Sequence, residues 1–98
     1  MEPTKQKFDV KAEVVELKND CPVFKPGDFI YMRSTEQGAW VIDTDKSSTH
    51  TICMWCIPPM CSEVVKVRHG IEDELYVHCI DPGKPYTGYG VVFRILRV

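Results

Sequence analysis

The sequence predicts a single α+β domain over residues 1–98, with strands toward both ends and helices between them. Three observations lead to this fold class. Apolar and polar residues alternate in the first and last segments, an apolar stretch follows several helix-capping residues in the middle, and glycine- or proline-rich turns separate the segments. Strands followed by helices and then by strands are typical of α+β domains. A chain of 98 residues is long enough for one core.

The first strand is predicted near residues 7–17. The residues of one face are apolar: Phe8, Val10, Ala12 and Val14. Alternating polarity of this kind is typical of a half-buried strand. After Val14 the alternation shifts by one position, because the next apolar residues are Val15 and Leu17. A β-bulge near this point would explain the shift.

Two further strands are predicted near residues 28–33 and 39–43. The loop before them contains Pro26-Gly27, a pair that favours a type II turn. The polar segment 34–38 then turns the chain between the two strands. We expect Asp28 to organise the turn before the first of them by bonding to nearby amides.

One or two short helices are predicted near residues 48–57 and 62–69. Serine and threonine hydroxyls at 47–49 are suitable caps for the first helix. Pro58-Pro59 is expected to end or kink it, because proline lacks the amide donor and clashes with the preceding turn. Ser62 is expected to cap the second helix, and Gly70 is well placed to end it.

The last two strands are predicted near residues 74–81 and 91–98. Apolar residues alternate in the first of these segments and dominate the second. The connection 82–90 is rich in glycine and proline, which is typical of a turn. We therefore expect the two strands to pair antiparallel as a hairpin.

Composition argues against several classes of protein. The net charge is −2, the pI is about 5.9 and the basic residues form no block, so we expect no nucleic-acid binding. No apolar run approaches the roughly 18 residues of a membrane span, so we expect no membrane association. The first ten residues lack the apolar core of a signal peptide, which predicts a reducing, cytoplasmic location.

Several motifs together resemble an uncharacterised family of small bacterial and archaeal proteins of about 90 residues. The family has a Cys-Pro, spacer, Gly-Asp motif, which is matched by Cys21, Pro22, Gly27 and Asp28. Its mid-chain cysteine aligns with Cys53, and its late Cys-x-Asp-Pro aligns with Cys79, Asp81 and Pro82. The resemblance implies a fold and three recurring cysteines but no established activity. Pro58-Pro59, Cys56 and Cys61 depart from the family pattern.

Five cysteines are the candidate site residues: Cys21, Cys53, Cys56, Cys61 and Cys79. In a reducing compartment they are better interpreted as thiols, metal ligands or redox groups than as disulfides. The first interpretation is a zinc ion or an iron–sulfur cluster held by the closely spaced Cys53, Cys56 and Cys61 with a fourth ligand. Candidates for that ligand are Cys21, Cys79, His50 and His78. A second set, implied by the resemblance, is Cys21, Cys53 and Cys79, which we expect to lie near one another.

Three functions remain open from the sequence. A metal- or cluster-binding protein would serve as an accessory or electron-transfer partner of a larger enzyme. A cofactor-free interaction module would keep the cysteines in its core, where free cysteine behaves as a small hydrophobe. A small enzyme would use Cys53 as its nucleophile, but the sequence shows no base in a defined arrangement with it. An accessory or binding role is therefore favoured over an enzyme.

Overall fold

Five antiparallel strands form one sheet, and an α-helix packs against one of its faces. The computed structural model describes residues 8–17, 23–79 and 90–98. The strands are β1 (Val10–Leu17), β2 (Phe29–Ser34), β3 (Trp40–Ile42), β4 (Glu74–His78) and β5 (Val91–Arg97). A short 3₁₀ helix (Met54–Cys56) leads directly into the helix α1 (Ile57–Arg68). The predicted α+β fold class is confirmed.

The strand order across the sheet is β3-β2-β1-β5-β4. The first and last strands of the chain are therefore neighbours near the centre of the sheet, and β3 and β4 form its two edges. The predicted hairpin is confirmed, because β4 and β5 pair antiparallel with Leu75 opposite Ile95 and Val77 opposite Phe93.

The shift of the alternation in β1 is a β-bulge, as predicted. Val10, Ala12 and Val14 are buried on the face toward α1. The register against β5 shifts between Val14 and Glu16, so the alternation restarts one residue later. The predicted turn before β2 is also present, since the amide of Asp28 donates to the carbonyl of Lys25 and the intervening Gly27 has a φ of 95°.

One α-helix is present, within the one or two predicted, but the predicted helix boundaries were wrong. Residues 44–53 form turns and extended chain, and one helix runs through the segment where a break was expected. Pro58 and Pro59 lie in the first turn of α1, where an amide has no partner within the helix and proline is tolerated. Ser62 lies inside this helix and donates to the carboxylate of Glu63 rather than capping. Gly70 follows the helix with a φ of 76°, as expected for its end.

The serines predicted as helix caps bind β2 instead. The hydroxyl of Ser47 accepts a hydrogen bond from the amide of Tyr31 at 2.9 Å. The hydroxyl of Ser48 accepts one from the amide of Phe29 at 2.8 Å. These bonds satisfy main-chain donors of β2 beyond the point where β3 ends, so tertiary contacts outweigh the local capping signal.

The core lies between the sheet and α1. The buried apolar residues are Val10, Ala12, Val14, Phe24, Ile30, Met32, Cys56, Met60, Val64, Val67, Cys79, Val91, Phe93 and Ile95. Inside it, the rings of Phe24 and Phe93 meet edge to face, with centroids 5.5 Å apart. The helix contacts mainly β4, β5 and β1. On the same face, Ile30 and Met32 of β2 are buried, but the three residues of β3 are only half-buried.

Candidate functional site

The described cysteines occupy four different environments. Cys53 is half-buried and precedes the 3₁₀ helix, and Cys56 is buried within it. Cys61 is exposed on α1. Cys79 is buried just after β4, where its amide donates to the carbonyl of Val91 at 3.1 Å. Cys21 lies outside the described residues.

The closely spaced thiols bond to main-chain oxygens within their own helical turns. The sulfur of Cys56 lies 3.0 Å from the carbonyl oxygen of Cys53, to which it donates. The sulfur of Cys61 donates to the carbonyl oxygen of Ile57 at 3.2 Å. Pro58 and Pro59 lie in the first turn of α1, so they do not separate Cys61 from the beginning of this helix.

Within residues 8–17, 23–79 and 90–98, no three histidine, cysteine or acidic side chains are grouped so that they could hold a metal ion. Cys53, Cys56, Cys61 and Cys79 all belong to this part of the chain. A zinc or iron–sulfur site that includes Cys21 stays a prediction. Metal analysis and an absorption spectrum of anaerobically purified protein would test it.

The histidines have different surroundings. His50 is exposed in a non-helical segment, so it does not share a helix face with Cys53. His69 is the residue that ends α1. His78 is exposed on β4, and its Nδ1 lies 3.0 Å from the carbonyl oxygen of Cys79.

Asp28 has the turn-organising role predicted for it. One carboxylate oxygen accepts a hydrogen bond from the amide of Lys25 at 3.0 Å. The other accepts one from the hydroxyl of Ser48 at 3.0 Å. Asp28 therefore ties the turn before β2 to the segment after β3. Asp81 lies outside the described residues.

An apolar groove lies between α1 and the β2–β3 side of the sheet. Its volume is about 480 Å³, and almost all of its surface is apolar. We call it the β3 groove. Its lining residues are Met32, Trp40, Val41, Ile42, Ile57, Met60, Cys61, Val64 and Val65.

The helix wall of the groove follows from helical periodicity. Ile57, Cys61 and Val65 are four residues apart and therefore share one side of α1. Met60 and Val64 lie on the neighbouring side and are buried in the core. The wall thus passes from the core to an open apolar surface, and Val65 is 49% exposed.

Trp40 and Arg68 join the sheet wall of the groove to the end of α1. The guanidinium carbon of Arg68 lies 4.4 Å from the centre of the Trp40 ring system. The same guanidinium donates to the hydroxyl of Ser34 at 3.0 Å. Trp40 is half-buried and packs against the core.

The opposite face of the sheet carries bonded polar side chains. The hydroxyl of Tyr31 donates to Asp9 at 2.8 Å, and this bond raises the pKa of Tyr31. A guanidinium nitrogen of Arg94 donates to Glu13 at 2.7 Å, which raises the pKa of Arg94. These groups stabilise one another across strands, so this face offers a weaker candidate site than the groove.

The sequence analysis did not find the β3 groove, although one signal for it was present. The spacing of Ile57, Cys61 and Val65 marks an apolar helix side. It was hidden because a helix break was placed at Pro58-Pro59. The apolar segment Trp40–Ile42 predicted the strand that forms the second wall, but no local pattern shows that a helix stops short of these residues.

No family model matches this chain, and neither a curated protein nor a solved structure matches it. The resemblance to the uncharacterised bacterial and archaeal family therefore stays a prediction. In the described part of the chain, no helix has both the length and the apolar character that crossing a bilayer requires.

Proposed function

We propose that this protein is a small interaction module that binds an apolar segment of a partner protein in the β3 groove. The supporting observation is a 480 Å³ apolar groove that lies beside a packed core. A groove of this size and lining is within the range of sites that bury apolar ligand groups. In this proposal the cysteines are packing residues or, for Cys61, part of the groove wall.

The groove combines a buried base with an open wall. Met32, Met60 and Val64 form the buried base of the groove, and each is at most 4% exposed. Val65 leaves about half of its surface in solvent beside them. Covering this surface with a partner's apolar side chains would remove it from water at roughly 25 cal/mol per Å². The cytoplasmic location predicted from the sequence fits such a partner.

A selection from random displayed peptides tests the proposal without a known partner. The immobilised full chain should enrich peptides that contain apolar residues. Val65→Glu places a charge on the open wall of the groove, and we expect it to weaken binding of these peptides at least about tenfold, because an unpaired charge opposes burial.

Ile71→Glu is the matched control, because Ile71 is 68% exposed and does not line the groove. It adds the same charge and should leave peptide affinity within about twofold, which is under 0.5 kcal/mol. Circular dichroism should show that both variants are folded. Failure to enrich any peptide, or equal loss of binding in both variants, would overturn the proposal.

A further inference from the structure

The main chain of β3 indicates what conformation the partner takes. We propose that the partner segment binds as an extended strand added to the edge of the sheet at β3, with alternate apolar side chains entering the β3 groove. This inference rests on the proposed function and names the class of partner. In such β-augmentation, main-chain bonds give affinity and side-chain pockets give specificity.

The hydrogen bonds between β2 and β3 show which main-chain groups of β3 point toward β2 and which point away from it. The amide of Asp43 donates to Tyr31, and the amide of Thr35 donates to Ala39. In an antiparallel pair, residues with inward and outward main-chain groups alternate. Val41, opposite Arg33, therefore bonds inward. Trp40 and Ile42 direct their amide and carbonyl groups away from β2, and no described residue bonds to those groups.

The groove reaches this edge. Its lining includes all three consecutive residues of β3. Because neighbouring strand residues point to opposite faces, a groove on one face touches all three only where it also meets their main chain. A strand paired with Trp40 and Ile42 would therefore place every second side chain on the face that carries the groove.

Both ends of β3 are held in place by turns. At the start, the amide of Ala39 donates to the hydroxyl of Thr35 at 3.0 Å. At the end, a carboxylate oxygen of Asp43 accepts bonds from the amides of Asp45 at 3.0 Å and Lys46 at 3.2 Å. The short edge is thus preorganised, which lowers the entropy cost of pairing with it.

The other edge of the sheet is less suited to the same role. Its outward main-chain groups belong to the exposed Glu74, Tyr76 and His78, because the amide of Cys79 points inward to Val91. α1 packs against this side of the sheet, and the β3 groove does not extend to β4. A charged residue on an edge strand also disfavours pairing with another chain.

A foreign segment fits the groove better than a second copy of this chain. In a pair formed between two β3 strands, the side chains on the groove face would be Trp40 and Ile42 of each copy. Both already line their own groove, and Trp40 is stacked against Arg68. A second copy would therefore pair the edge but leave the groove unfilled.

The test uses a selected peptide synthesised as a series with one N-methyl group at each position. N-methylation removes one amide donor and leaves the side chains unchanged. We expect about a tenfold loss of affinity at every second residue, the value of one lost hydrogen bond, and a much smaller change between them. The protein's amides at Trp40 and Ile42 should exchange at least about tenfold more slowly in the complex.

Tyr76 and His78 on the opposite edge are the internal control, and the exchange of their amides should not change. A peptide that binds as a helix, loses affinity with Val65→Glu and tolerates N-methylation would overturn this inference but leave the proposed function standing. A dimer with protected Trp40 and Ile42 amides and no peptide would overturn it in favour of a second copy. Peptides that bind independently of Val65 would overturn both.

Discussion

The two halves of the helix-facing side of the sheet differ in how they are covered. Over β1 and β5, α1 closes the surface, and Val10, Phe93 and Ile95 are fully buried, whereas Leu75 and Val77 of the edge strand β4 stay half-buried. Over β3, apolar residues of the same kind are only half-buried, and Trp40 and Ile42 line an open groove.

This difference shows that apolar alternation alone does not separate a core from a partly exposed apolar groove. Both halves have side chains that alternate between faces, and both place apolar residues on the face toward α1. The path of the helix decides which of them are closed from water.

The largest difference is expected between Ile95→Ala and Ile42→Ala. Ile95 is fully buried under the helix, so its truncation should leave a cavity and cost about 3–4 kcal/mol of unfolding free energy. Ile42 is half-buried at the open edge, so the same change should cost about 1 kcal/mol. Urea denaturation measures both values.

If Ile95→Ala is too unstable to purify, Ile95→Val and Ile42→Val make the same comparison with smaller losses, up to about 1.5 kcal/mol at the buried site. Equal losses at the two positions would mean that the open half is as well packed as the covered half.

A smaller effect is expected from glycines in left-handed conformations. Gly70 ends α1 with a φ of 76°, and an added methyl group would lie 3.3 Å from the Phe8 ring. Gly38 in the β2–β3 turn has a φ of 91° with no atom within 4 Å of such a group. Gly70→Ala and Gly38→Ala should each cost about 1 kcal/mol from backbone strain.

Gly70→Ala should cost a few tenths of a kcal/mol more, because its methyl group also presses on Phe8. The difference in urea midpoints between the two variants measures this contact. A larger loss for Gly38→Ala would show that the turn beside the groove is the tighter of the two.

Arg68→Ala should cost about 0.5–1 kcal/mol, since it removes the guanidinium stacked on Trp40 and the bond to Ser34. Lys66→Ala is the control on the same helix, because Lys66 makes only a 3.7 Å ion pair with Glu63. Thermal unfolding should show a clearly larger decrease in Tm for the arginine variant. Equal decreases would mean that the stacking does not help to hold β3.

The smallest effect is expected from the pH response of Asp43 in the open half. The 2.7 Å bond from Arg33 lowers the pKa of Asp43 below its ordinary value of 3.8. A carboxylate with a lowered folded pKa stabilises the protein above the unfolded value, and this contribution is lost as the pH falls through the folded value. The advantage of the native chain over Asp43→Asn should therefore shrink below about pH 4.

Urea unfolding at about pH 7 and about pH 3 measures this change. Asp45→Asn is the control, because the Asp45 carboxylate has no hydrogen-bond partner in the part of the chain that the structure describes. An advantage over Asp43→Asn that stays constant across this range would contradict the assigned ion pair.

Local patterns predicted the strands and several turns correctly. Alternation in β1, the bulge after Val14 and the hairpin of β4 and β5 each depend on neighbouring residues, and all three are present. The turns predicted at Gly27 and Gly70 also depend on local residues, and both glycines have a positive φ. The helix boundary failed at Pro58-Pro59, because a proline pair is compatible with the beginning of a helix as well as with its end.

The candidate site depends on distances that no local pattern contains. The sequence alone determined the fold class, because side-chain periodicity and turn residues act over a few positions. It could not determine whether Cys53, Cys56 and Cys61 share one site, since that depends on the path of the chain through Pro58-Pro59. Nor could it show the β3 groove, because only the placement of α1 over β4, β5 and β1 leaves β3 open. Packing is a property of the whole chain, and it decided which apolar residues became core and which became surface.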